Sequence, residues 1–199
     1  MKNTLNYPLS FKFKIGTFAN DFTATDSTGT TIGYVKQKMF KLKEAVTVYS
    51  DDTQTEEKFK INANKWLDFN TAYNFTTPEG IELGKVARKG WKSLWKAKYE
   101  LYDKKGEQDL VIEEENALVK VWDSLLGEIP ILGFFTGYFF NPKYTIKRPD
   151  GTLVARITKE KSFFGRMFTI DNLAEFESGE EIRILLGSMM MLLLERRRG

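Results

Sequence analysis

The sequence predicts a mainly β fold: an antiparallel sheet closed on itself, with a hydrophobic C-terminal helix buried inside it. Three observations predict this. A hairpin pattern centred on glycine occurs three times. Apolar and polar residues alternate along residues 5–112, with turn signals every 8–12 residues, the spacing of a sandwich or barrel. A C-terminal run is apolar on every side, and such a helix must be covered all round.

The three hairpins are FTATDSTGTTIGYVKQK from Phe22, YNFTTPEGIELGKVARK from Tyr73 and YTIKRPDGTLVARITKEK from Tyr144. They align without gaps on Gly29, Gly80 and Gly151. The third residue after each glycine is Ile32, Leu83 or Val154; the fourth is Gly33, Gly84 or Ala155; the sixth is Val35, Val86 or Ile157. An aromatic, Phe22, Tyr73 or Tyr144, stands seven places before it. STG, PEG and PDG are turn tripeptides whose glycine supplies positive φ. A small residue at the fourth place leaves room for close approach. Each unit runs on through a basic, aromatic-bearing link to a strand ending at an acid: Asp51, Asp103 or Asp171. The expected organisation is one domain over 1–199, with repeats near 22–51, 73–103 and 144–171 and a core helix over 180–195.

Two segments break the alternation. Over 114–142, Asn116 caps a short helix carrying Leu118, Val121, Trp122 and Leu125, which Gly127 ends. The apolar stretch IPILGFFTGYFF follows. Its readings are a barrel cover followed by a buried strand, or a lid that dips into a membrane interface through Trp122, Phe134, Phe135 and Tyr138. At the C-terminus, Ser178 and Glu181 form a capping box, and Glu180 and Glu181 suit the positive helix start. Arg196, Arg197 and Arg198 suit its negative end. The run Ile184–Leu194 has eleven residues, against the ~20 that a membrane span needs. A helix over 179–195 would be ~25 Å long, enough to thread a barrel whose seven-residue strands cover ~23 Å.

Composition narrows the chemistry. The 199 residues include no Cys and no His, which excludes disulfides, thiol nucleophiles, Cys/His zinc sites and Ser-His-Asp triads. No carboxylate pair has a catalytic spacing, so no enzyme activity and no cofactor are expected. The net charge of +3 is uneven: residues 1–106 carry 18 basic and 12 acidic groups, residues 107–199 carry 12 and 15. That is far from the dense basic stripe of a nucleic-acid binder. The opening MKNTLNYPLSFKF is not a signal peptide, and a cytoplasmic monomer is expected.

DGTLVARITKEKSFFGRMFTID (150–171), LLGEIPILGFFTGYFFNPKY (125–144) and the helix 180–195 resemble the Tubby C-terminal-like superfamily, in particular its phospholipid scramblase and LURP-one-related group and the bacterial scramblase-like proteins. The resemblance implies a barrel of about twelve strands around a central hydrophobic helix. It also implies functions at lipid: Tubby-type domains bind phosphoinositides, and scramblases are linked to calcium-dependent lipid movement. The family's calcium segment corresponds to Asp171, Glu175, Glu177, Glu180 and Glu181; their spacing is no DxDxDG loop, and no metal is expected.

The candidate anion site lies in the links. Arg88, Lys89 and Lys92 adjoin Trp91 and Trp95; Lys159, Lys161 and Arg166 adjoin Phe163 and Phe164. The first repeat offers Lys36, Lys38, Lys41 and Lys43. Cations beside aromatics suit headgroup phosphates. Trp122, Phe134 and Phe135 are the further interfacial candidates. The partner expected is an anionic phospholipid surface peripheral to the membrane; the alternatives are an unidentified protein partner or lipid scrambling proper.

Overall fold

The computed structural model describes residues 4–14, 21–36, 45–63, 72–88, 98–115, 143–160 and 167–196. They form twelve strands and one helix. The strands are β1 (Leu9–Phe13), β2 (Phe22–Thr25), β3 (Thr31–Val35), β4 (Val46–Tyr49), β5 (Glu57–Ala63) and β6 (Ala72–Thr76). They continue as β7 (Glu82–Arg88), β8 (Lys98–Tyr102), β9 (Gln108–Glu114), β10 (Lys143–Lys147), β11 (Leu153–Lys159) and β12 (Met167–Asn172). The helix α1 spans Glu180–Arg196. Each strand pairs antiparallel with the next, and β1 pairs with β12 to close the barrel. This is the fold class that the sequence predicts.

The alternation decides which face is inside. Along β1, Leu9, Phe11 and Phe13 are buried, while Ser10 is half-buried and Lys12 exposed. Phe75, Leu101, Ile112, Ile146 and Ile170 likewise turn into one core with Ile184–Leu194 of α1. Each large apolar side chain so buried contributes about 1.5–3 kcal/mol. Outward positions are polar, as at Thr23, Lys60, Asn74, Lys85, Glu113 and Arg156. That is the reverse of a membrane-spanning barrel, whose outer band is apolar. Among the described residues no helix is long and apolar enough to cross a membrane.

The three glycine-centred hairpins share one register. Phe22 faces Val35, Tyr73 faces Val86 and Tyr144 faces Ile157. Each hairpin then slips by one residue, between Ala24 and Thr25, Phe75 and Thr76, and Ile146 and Lys147. The extra residues are Ile32, Leu83 and Val154. Ile32 and Val154 join the core and Leu83 packs against it. Two successive residues therefore press inward at each bulge, and the second must be small: Gly33, Gly84 or Ala155. Simple alternation had hidden this reason for the spacing.

Because successive strands reverse direction, the strand ends define two rims. The turn rim carries the short turns 26–30, 50–56, 77–81, 103–107 and 148–152 and the start of α1. The link rim carries the ends of β1, β3, β5, β7, β9 and β11 and the end of α1.

At the turn rim α1 is clamped. Arg148, just after β10, donates from Nε and Nη2 to the two carboxylate oxygens of Glu180, each at 2.8 Å. The Glu177 N–H donates to the same carboxylate at 2.7 Å, so the reach-back bond expected from Glu181 to Ser178 is made one residue earlier, from Glu180 to Glu177. Glu181 is occupied elsewhere: it accepts from the N–H groups of Thr4 at 2.9 Å and Leu5 at 3.1 Å. Burial and this carboxylate push the Tyr7 hydroxyl far up. Arg183, 7% exposed, pairs with Asp109, the extra residue of the β8–β9 bulge. Burial pushes the Asp109 carboxyl up, and the Arg183 charge only partly offsets this.

Glu180 sets a pH dependence. Burial pushes its carboxyl up, but the Arg148 hydrogen bonds, the Glu177 N–H and the Arg148 and Arg183 charges outweigh burial and hold it below the ordinary glutamate value of 4.5. The unfolded chain therefore protonates first as pH falls, so the stabilisation is full above about pH 4.5 and is lost on further acidification. Wild type should exceed Glu180→Gln by about 1–3 kcal/mol at neutral pH, with the gap closing in acid urea melts. Gly84→Ala should be worse than Gly29→Ala. At Gly84, with φ of 137°, a Cβ would meet the Tyr102 carbonyl oxygen and lie 2.8 Å from Arg183 Cδ. At Gly29, with φ of 85°, it would meet nothing within 4 Å. Thermal melts should show about 1 kcal/mol lost at Gly29 from backbone strain alone and at least twice that at Gly84.

Candidate functional site

The link rim collects the ends of the strands that flank the basic links. Arg88 ends β7 opposite Tyr99, and Lys159 ends β11 opposite Phe168. Both are half-buried, and Lys36, directly after β3, is exposed. In the closed sheet β3, β7 and β11 stand four strands apart. The three cations therefore lie at thirds of the circumference. The structure brings Arg88 and Lys159 to one rim without bringing them to one point. The other sequence candidates, Lys89, Lys92, Lys161, Arg166, Trp91, Trp95, Trp122, Phe134 and Phe135, lie outside the described residues.

Some rim charges already have partners. Lys98 Nζ is 3.0 Å from the Glu113 carboxylate, and Arg156 is 3.9 Å from that of Glu115. The Thr169 hydroxyl donates to Glu160 at 2.8 Å. Lys14 sits 4.9 Å from the centroid of the Tyr34 ring, and the Tyr34 hydroxyl donates to Asp21 at 3.1 Å. Burial and the Asp21 carboxylate push that hydroxyl up, which keeps it protonated as a donor. Lys36, Lys143 and Lys159 make no ion pair among the described residues. Tyr99 donates to Glu195 in the last turn of α1, fixing the helix end at this rim.

Three of the five acids near α1 have partners. Glu177 and Glu180 face Arg148, and Glu181 holds Thr4 and Leu5. Among the described residues no group of three or more metal-ligating side chains comes together. The Arg148–Glu180 and Arg183–Asp109 pairs are the structural clamps that sequence reasoning missed. A signal was present: Arg183 stands directly before the apolar run Ile184–Leu194, and a buried charge demands a partner.

The family that matches this chain belongs to the Tubby-like superfamily. The LURP-one-related family model matches residues 31–174, and the chain belongs to that family. A crystal structure of a protein from Arabidopsis thaliana aligns with 98% of this chain and 94% of its own, at 11% identity and a TM-score of 0.49. No curated protein matches the chain in sequence.

The Tyr99–Glu195 bond should anchor the helix end. Tyr99→Phe keeps the ring and removes the donor, so urea denaturation should show a loss of about 1.5–3 kcal/mol, the range for a hydrogen bond to a charged group.

Proposed function

We propose that the link rim is a docking face for anionic phospholipid headgroups, phosphoinositides among them, and that the protein acts there without catalysis as a cytoplasmic, peripheral, monomeric binding domain. The spacing of Lys36, Arg88 and Lys159 carries this reading. Four strands at ~4.8 Å each separate neighbouring cations by about 19 Å of sheet. One small anion cannot reach all three, whereas a plane of phosphates can meet them together. In sequence, Arg88 continues into Lys89, Trp91, Lys92 and Trp95, and Lys159 into Lys161, Phe163, Phe164 and Arg166. These residues, with Trp122, Phe134 and Phe135, are the further charged and aromatic candidates for headgroup contact.

The polar exterior and the buried α1 favour contact with a bilayer surface over insertion. Lipid scrambling proper would require α1 to leave the core, and its 17 residues fall short of the ~20 that span a bilayer. Each cation near an anionic surface contributes about 1 kcal/mol, a factor of about five in affinity. Co-sedimentation should therefore show binding to phosphatidylserine vesicles but not to phosphatidylcholine vesicles, weakening as salt rises. Lys36→Ala and Lys159→Ala should each weaken it by about fivefold while thermal melts stay close to wild type, and Arg88→Ala should weaken it as well. No wild-type binding at low salt would sink the proposal and turn attention to a protein partner at Phe134 and Phe135.

A further inference from the structure

We propose that the barrel opens sideways at the joint between β3 and β4, and that Lys14 straps this joint shut from outside. The inference is independent of the link-rim reading. Among the described residues, β3 and β4 share two residue pairs, Tyr34 with Tyr49 and Val35 with Val48. The other eleven joints each carry four or five. Lys36, next along from Val35, is already outside the strand. β4 has four residues and continues into the least favourable of the described turns. In the turns after β2, β6, β8 and β10 the residue with positive φ is Gly29, Gly80, Gly106 or Gly151; after β4 it is Gln54, at φ 59°. An L side chain is strained there. The Gln54 N–H reaches the Asp51 carbonyl at 3.3 Å, where its glycine counterparts span 3.0–3.1 Å.

On the inner side of the joint the core helix lies directly against β3. Gly33 presents no side chain, and a Cβ there would lie 3.0 Å from Val48 Cγ1 and 3.3 Å from Met189 Cε. Parting β3 from β4 would thus uncover Met189 of the core helix. Across the outer side, Lys14 reaches from the end of β1 over the Tyr34 ring to Asp52, with Nζ 3.5 Å from its carboxylate. Asp52 lies in the turn after β4, so this contact crosses the joint. Both side chains are exposed, and an exposed ion pair contributes little and is screened by salt. A short ladder, a strained turn and a weak strap place this joint at the low-stability end of the barrel.

Residue-resolved hydrogen exchange on the whole chain tests this. The amides bonded across the joint, among residues 34, 35, 48 and 49, should exchange faster than those between β10 and β11. Gln54→Gly should slow them by about fivefold or more, and Lys14→Ala should speed them, with β10–β11 unchanged in both. Under limiting peroxide, Met189 should oxidise before Met190 and Met191, which are equally buried. Equal exchange at the two joints overturns the proposal. So does a fast joint with Met189 oxidised no sooner than its neighbours, since the strands would then fray without exposing the core.

Discussion

An apolar helix without a polar face has no stable place in water, and a twelve-stranded barrel needs something apolar to fill it. Here each supplies what the other lacks. Ile184–Leu194 are buried throughout, and the inward residues of the strands form one core with them. The alternation along each strand, the small residues after the bulges and the closure of β1 on β12 all serve this enclosure. Gly187 belongs to the same fit: a Cβ there would lie 2.7 Å from Leu101 Cδ2, so the helix approaches β8 as closely as it does because that side chain is missing.

The two rims divide the remaining work. At the turn rim, short turns and paired charges hold the helix start through Arg148, Asp109 and Thr4. Buried pairs of this kind are weak sources of net stability but costly to break by halves, so they act chiefly as specifiers of where the helix sits. At the link rim the helix is held through Tyr99, and cations stand at the strand ends. Longer connections between strands are where binding functions concentrate, and here they depart from a scaffold fixed at its other end.

Much of the fold was legible because its signals are local. Gly29, Gly80 and Gly151 reported turns through the one conformation glycine enters freely, and the aromatics seven places earlier proved to face the residues six places later. The all-round apolar run could be buried only inside something closed. The bulges were less legible: Ile32 with Gly33 reads as plain alternation unless one knows that both face inward. The clamp was hidden because the partners of Glu180 and Arg183 lie in other strands, and spacing along a chain does not reveal distance across a barrel. For the same reason, the sequence could group Arg88 with Lys89 and Lys92 but could not tell that Arg88 and Lys159 stand on one rim a third of a turn apart.

The contact between Thr4 and Glu181 joins residues 177 positions apart, and the pairing of Leu9 with Ile170 spans nearly as much chain. Such contacts bring no stabilisation until the ordering entropy of everything between them has been spent. Neighbouring hairpins can form early and locally, but the last joint cannot. Until it forms, β1 and β12 each present an open edge to solvent and to other chains. Assembly is therefore limited by the meeting of its two ends, and the interval before they meet is when the chain is most prone to stick to its own kind.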